Sequence, residues 1–198
     1  GGVVIALPVS LATIAGALVC EALSAALPDM PAYLEEALES MVNGPLWASL
    51  LSVSVFAPLF EEWLCRGLVL RGLLQKTHPA VAIAVSAVFF AILHMNPWQA
   101  IPAFILGLLF GYVYYRTGSL KLTMLMHCVN NTFSTIFSRI PEFKEAETFM
   151  DILSPWKYAA TFVLCILVLA SAIVIIRAIP TKDDRMGNCD KVDPLSIA

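Results

Sequence analysis

Apolar residues run along this chain in long, nearly unbroken blocks, and polar residues gather in the short gaps between them. A helix that crosses ~30 Å of hydrocarbon needs about 20 mostly apolar residues. Six blocks meet or approach that length: residues 3–27, 46–74, 80–94, 98–115, 120–137 and 156–179. Two gaps carry a helical rhythm of their own. In residues 31–43, Glu35, Glu36 and Glu39 are set against Leu34, Leu38 and Met41, the pattern of an amphipathic helix lying in the membrane interface. Residues 141–153 repeat that pattern more weakly. The expected architecture is therefore all-α: a polytopic transmembrane helix bundle of about six spans, with one or two interfacial amphipathic helices. No Gly/Ser linker or shift of composition divides the chain, so residues 1–180 read as one transmembrane domain and residues 181–198 as a polar, flexible tail.

Composition agrees. Of 198 residues, 59% are hydrophobic and 14% charged, against roughly 45–50% and about 25% in soluble domains. The mean hydropathy is +0.81. The net charge of −3 is small, and the twelve Lys and Arg are scattered over the connections, which gives no basis for nucleic-acid binding. Five cysteines without a CxxC pair, four of them inside apolar blocks, read as small hydrophobes rather than a disulfide framework. The chain begins Gly1-Gly2 without an initiator Met, the mark of a trimmed sequence. Its first apolar block is too long for a signal-peptide core and lacks a charged leader, so it reads as a span.

Basic residues set the expected orientation. Arg71 and Lys76, Arg116 and Lys121, and Arg177, Lys182 and Arg185 mark alternate connections, while residues 28–44 and 95–97 have none. This places both termini in the cytoplasm, although Arg139, Lys144 and Lys157 pull mildly the other way. In the fourth block Gly107 and Gly111 form a small-xxx-small pair, suited to close helix packing.

Against this background the polar groups inside the spans stand out. Glu61, Glu62 and Arg66 interrupt the second block, where each charge at mid-membrane costs about 2.5–3.5 kcal/mol even on insertion scales. Arg66 follows Glu62 by four residues and shares its helical face. Glu61 is rotated about 100° from Glu62. The spacing suggests a Glu62–Arg66 ion pair that leaves Glu61 facing the bundle interior, or else one buried network of all three. His94 ends the third block, with Phe90 one turn earlier; a lone His at a helix end is more often a satisfied interfacial group. His127 and Asn131 share a face of the fifth helix, while Asn130 points elsewhere, and such a pair alone would read as interhelical glue.

Taken together they suffice for chemistry. A carboxylate can activate water, and imidazole and amide donors can stabilise an oxyanion. The same residues can equally supply two His and one Glu to zinc with an open position for water. Depth is a partial check: Glu61 lies about 15 residues before the loop at Lys76–His78 and His94 about 15 after Pro79, so an antiparallel pair brings them level. His127 lies nearer its own helix start, and its height matches only if the second and third helices project beyond the hydrocarbon. His78, before Pro79 in a loop, stands outside the set.

The motifs Glu61-Glu62-x-x-x-Arg66, Phe90-x-x-x-His94 and His127-x-x-x-Asn131 resemble those of the CPBP intramembrane proteases, also called the CAAX protease and bacteriocin-processing (Abi) family, whose eukaryotic member is the type II CAAX prenyl endopeptidase. Ala57-Pro58-Leu59-Phe60 before the Glu pair, Gly67 after Arg66, and Tyr114-x-x-Thr117-Gly118-Ser119-Leu120 before His127 fit the same family. The resemblance implies an all-helical membrane endopeptidase in residues 1–180, acting on a peptide or protein substrate at the bilayer. It implies Glu61 as general base with His94 beside it, His127 and Asn131 on the oxyanion side, and Glu62, Arg66 and Phe90 in support. A metal-independent glutamate mechanism with no cofactor is the preferred expectation; in a zinc-dependent version Glu61, His94 and His127 would be the ligands. The expected location is the cytoplasmic membrane of a prokaryote.

Other intramembrane chemistries find no support. There is no HExxH, no GxSG-type serine in a span and no Asp in a span. A non-catalytic scaffold that keeps the fold and binds a partner is the second reading, which the intact motifs disfavour. A proton-relay transporter is the third, without a visible internal repeat.

Overall fold

The computed structural model describes residues 2–24, 27–144 and 149–180. Its order is α1 (Gly2–Ser24), α2 (Ala32–Val42), α3 (Leu46–Leu73), α4 (Pro79–Ile92), α5 (Pro97–Thr117), α6 (Leu120–Phe137), two short turns of helix α7 (Pro141–Lys144) and α8 (Phe149–Ile152), and α9 (Pro155–Arg177). Among the described residues there is no strand, and the all-α bundle stands. The 181–198 tail and residues 145–148, the middle of the second expected interfacial helix, lie outside the described residues.

The helix ends follow from local chemistry. Pro97 opens α5 behind Asn96, whose Oδ1 accepts the Gln99 N–H at 2.9 Å. Gly118, at φ 66, closes it by donating its N–H to Tyr114 O at 2.7 Å, a left-handed stop that glycine adopts without strain. Ser119 then caps α6 on Leu122 N at 3.3 Å. The exposed His78 caps α4, accepting from Ala80 N at 3.3 Å, and takes no part in the cluster below.

Among the described residues, four helices are long and apolar enough to cross a membrane: Val4–Leu23, Leu46–Leu73, Pro97–Thr117 and Pro155–Arg177. The other two expected spans are helices of a different kind. α4 has 14 residues, about 21 Å at 1.5 Å per residue, which falls short of ~30 Å of hydrocarbon. α6 has 18 residues but carries Lys121, His127, Asn130 and Asn131 and is too polar to rank with the four. Each packs one face on its neighbours, and α4 leaves Val81, Val85, Val88 and Ile92 exposed on the other. α4 packs along α5, and α6 packs between α1 and α3. One core joins Val9 and Ala12 of α1, Phe110 and Val113 of α5, Met126 of α6 and Ile176 of α9; a smaller one joins Cys65, Phe90 and Ala103.

The expected close approach at Gly107 and Gly111 is made by α4. A Cβ on Gly107 would stand 3.2 Å from Ala87 Cα and 3.3 Å from Phe90 Cδ1, and one on Gly111 would stand 3.1 Å from Ile83 Cγ2. No residue of α2 is buried, as an interfacial helix requires. It is moored at its end by Arg139, whose Nη2 donates to Val42 O, to Gly44 O at 2.8 Å and to Ser49 Oγ at 2.9 Å. Cys65, Cys128 and Cys165 are free thiols.

α3 is irregular around Glu61 and Glu62. An α-helical segment, Ala57–Glu62, is flanked by two π-helical stretches, Leu50–Phe56 and Trp63–Leu70. The first has a covalent cause. Pro58 has no N–H to give, and the Ala57 N–H reaches back to Ser52 O. The Val53 carbonyl is accordingly left to another helix, and Asn131 Nδ2 donates to it at 2.8 Å. π-Helical turns of this sort gather at functional sites.

Candidate active site

Glu62 and Arg66 form the ion pair that their spacing suggests. Arg66 Nη1 meets Glu62 Oε1 at 2.6 Å, and both side chains are fully buried. A pair removed from water in this way leans on partners for its remaining groups, which are met in part: Arg66 Nε and Glu62 Oε2 have no hydrogen-bond partner among the described residues. Arg66 Nη2 donates to Gly107 O at 3.0 Å, a contact opened by the close packing around that glycine. The guanidinium lies over the Phe90 ring, 4.6 Å from its centroid, and 5.4 Å from that of Phe110. α3, α4 and α5 are thus joined at one cation.

The same Glu62 oxygen reaches a third element. His127 Nδ1 lies 3.1 Å from Glu62 Oε1, and because a carboxylate oxygen accepts, Nδ1 carries the hydrogen. A ring held at one nitrogen has the direction of the other fixed. His127 Nε2 is directed at the second carboxylate, 3.9 Å from Glu61 Oε2. His127 is 4% exposed on its side chain and Glu61 29%. Glu61 Oε2 is buried and has no hydrogen-bond partner among the described residues. The rotation between adjacent helix positions has separated the two acids: Glu62 is fully buried with both Arg66 and His127 on Oε1, while Glu61 is partly exposed and lacks a direct hydrogen bond at Oε2. Glu62 Oε2 likewise has no hydrogen-bond partner among the described residues.

His94 sits at the edge of this cluster. It donates Nδ1–H to Phe90 O at 3.0 Å, which leaves Nε2 as its lone-pair nitrogen. Phe90 spaces the two imidazoles, with His94 edge-on at 5.1 Å between centroids and His127 edge-on at 5.3 Å. No hydrogen bond or ion pair among the described residues joins His94 to Glu61. The turn that follows is tight: Met95 takes φ 53 and Asn96 Nδ2 donates to His94 O at 2.8 Å. Asn131 has one amide hydrogen on Val53 O, and its Oδ1 accepts from Asn130 Nδ2 at 3.1 Å, so Asn130 belongs to this face as well.

Three participants escaped sequence reasoning. Phe110 flanks both Arg66 and His127, with centroids 5.9 Å apart in the latter case. Its signal was weak, since an aromatic in an apolar helix reads as core. The Gly107 carbonyl was hidden because backbone groups leave no mark in a pattern of side chains. Ser86 is fully buried and donates to Cys65 O at 2.9 Å, binding α4 to the second π-helical stretch. A zinc site would need three donors converging, and no group of three His, Cys, Asp or Glu among the described residues does so. Glu61, His94 and His127 are not gathered into a ligand set.

These features define a class: an integral membrane helical protein with a carboxylate, imidazole and amide cluster buried among its helices. The resemblance drawn from the motifs holds, because residues 43–133 match the family model described as type II CAAX prenyl endopeptidase Rce1-like. That segment runs from the start of α3 almost to the end of α6 and carries every site residue named above; α1 and α9 lie outside it. The chain is also similar to a candidate membrane peptidase, YdiL, of Bacillus subtilis (strain 168), 28% identical over 88 residues. That match covers 44% of this chain and 36% of the relative, so the chain spans about a third of the relative's length. No solved structure matches the chain.

Proposed function

We propose that this chain is an intramembrane endopeptidase that hydrolyses a peptide bond in a hydrophobic or membrane-associated peptide. The observation that carries the reading is the buried, unpartnered Glu61 Oε2 standing 3.9 Å from a His127 ring whose other nitrogen is fixed by Glu62. A polar contact of that length suits a water lying off the line between the two atoms. Glu61 takes a proton from this water as it attacks the substrate carbonyl, and returns the proton to the leaving amine as the tetrahedral intermediate collapses. His127 acts in its doubly protonated form, one N–H held by Glu62 and the other turned to the oxyanion. In that form it and Arg66 balance the charges of Glu61 and Glu62. Asn131 retains one amide hydrogen after serving Val53 and donates it to the same oxyanion. His94, with Nε2 open, lies on the side where the water and the leaving group exchange protons.

This reading is a glutamate mechanism without a metal; a zinc-dependent version on Glu61, His94 and His127 is the alternative that the test below separates from it. We place the protein in a prokaryotic cytoplasmic membrane with both termini inside, and we read residues 1–180 as the protease domain. The test is cleavage of reporter peptides, prenylated and unprenylated, by purified protein. Wild type cuts at least one, and Glu61→Gln loses the activity with an unchanged melting temperature. Undiminished cleavage by Glu61→Gln would remove the assigned base. Loss of wild-type activity on titration with a chelator, restored by zinc, would replace the mechanism with a metal-dependent one.

A further inference from the structure

The chain passes from α4 to α5 around one side chain, that of Asn96. Both hydrogens and the oxygen of its amide are engaged. Oδ1 accepts the Gln99 N–H at 2.9 Å, while Nδ2 donates one hydrogen to His94 O and the other to Gln99 Oε1, each at 2.8 Å. The amide has no choice of orientation, because a backbone N–H can only donate and so fixes the oxygen towards Gln99. The bond to Gln99 N is an ordinary helix cap. The bond to His94 O serves no cap. It reaches back past Met95 and takes hold of the residue at the edge of the cluster.

The end of α4 shows what that hold is for. Its last turn tightens: the His94 N–H donates to Ala91 O at 3.1 Å and the Met95 N–H to Ile92 O at 3.0 Å, each three residues back. In a regular α-helix the His94 N–H would point to Phe90 O. The tighter turn leaves that carbonyl to the imidazole, whose Nδ1 donates to it at 3.0 Å. Met95 then takes φ 53, a left-handed conformation that a residue other than glycine keeps only where its surroundings impose it. Asn96 grips the chain on both sides of Met95. Its Nδ2 holds His94 O before it, and its own carbonyl, accepting the Ala100 N–H at 2.9 Å, is fixed at the start of α5 after it. We infer that Asn96 is a positioning residue for His94: the bond from its Nδ2 to His94 O fixes the turn in which the imidazole spends Nδ1 on Phe90 O and leaves Nε2 open. This role rests on the part that His94 plays in the proposed reaction, yet the state of the ring is readable without turnover.

The test separates the two duties of the amide. Asn96→Asp keeps an oxygen for the Gln99 N–H, and aspartate caps a helix as well as asparagine does. Gln99 can turn its own amide to donate to the second oxygen, but the His94 carbonyl can only accept and loses its donor. Asn96→Ala loses cap and donor together. The full chain is purified in detergent with isotope-labelled histidine and read by nitrogen NMR at a pH where imidazole is neutral, the His94 signal being the one absent from His94→Gln. Wild type shows His94 protonated on Nδ1. In Asn96→Asp that form gives way to exchange between the two tautomers while the melting temperature stays at the wild-type value. With a reporter peptide, kcat of Asn96→Asp falls about 10–10²-fold with KM nearly unchanged, as a displaced but intact group requires. Asn96→Ala shows the same loss and melts lower as well. His94 protonated on Nε2 in wild type, or the wild-type tautomer and kcat in Asn96→Asp, would overturn the assignment. A melting temperature lowered in Asn96→Asp as far as in Asn96→Ala would reduce Asn96 to a cap and overturn it too. A wild type that cuts no reporter, with the His94 tautomer still lost in Asn96→Asp, would remove the protease reading and keep the positioning of the ring.

Discussion

Glu61 and Glu62 are neighbours on one helix, yet they occupy opposite ends of the range open to a carboxylate in a membrane. Glu62 is shut off from solvent: Arg66 and His127 converge on one of its oxygens, and the arginine goes on to Gly107 O and two aromatic faces. Glu61 has a side chain 29% exposed and no hydrogen bond to its Oε2 among the described residues; one oxygen of Glu62 shares that lack, so the contrast lies in exposure and in the ion pair. The difference shows how a bilayer protein can keep a reactive acid. The closed acid ties α3, α5 and α6 together, and that rigidity holds the open acid opposite His127 without any direct bond of its own. On the proposed mechanism, stability and chemistry are divided between adjacent residues by a turn of about 100°.

Substitutions can break or sharpen that contrast. The largest effect is expected at the closed end. Arg66→Ala leaves the buried Glu62 with His127 as its one partner and no fixed cation, and should destabilise the protein by about 3–5 kcal/mol, read as a lowered melting temperature in detergent or failure to purify folded. A stable Arg66→Ala variant would mean that the closed end is not the fastener. At the open end Glu61→Gln should leave the melting temperature in place and reduce peptide cleavage by about 10²–10⁴-fold. If it instead lowered stability as Arg66→Ala does, the two acids would not differ in kind. Asn131→Ala lies between the two classes, because it leaves the Val53 carbonyl unpaired; a stability loss of about 1–3 kcal/mol should accompany its loss of activity. Gly107→Ala forces a methyl towards Ala87 and Phe90 and should cost about 1–3 kcal/mol, with activity falling only as far as Arg66 is displaced. The smallest effect is expected at the lipid-facing Val174, 69% exposed on α9, where Val174→Ala should stay within about 0.5 kcal/mol.

What could be read in advance depended on where the information lay. The four long apolar helices were plain, since an unbroken run of hydrophobic residues has few other uses. The Glu62–Arg66 pair followed from spacing alone, and so did the separation of Glu61 from it. The bond between His127 and Glu62 was not legible, because it joins residues 65 positions apart and depends on how α6 leans on α3. α4 and α6 were read as spans of the ordinary kind, and the structure shows why the reading was incomplete. A helix packed along its polar face by other helices, as α6 is, need not match the bilayer in polarity, and α4 is short where it leads into His94. The π-helical stretches of α3 escaped as well. Pro58 announced a disturbance, but its outcome depends on a donor waiting on another helix.

That donor bears on how the protein is made. α3 enters the membrane 78 residues ahead of Asn131, with a Val53 carbonyl that its own backbone does not satisfy. α6, too polar to rank as a free-standing span, follows with the amide that completes it. Each helix is a poor solute in lipid until the other arrives, so the two are suited to partition into the bilayer as a pair. The π-helical stretch beside Glu61 and Glu62 is also an instruction for the order of assembly.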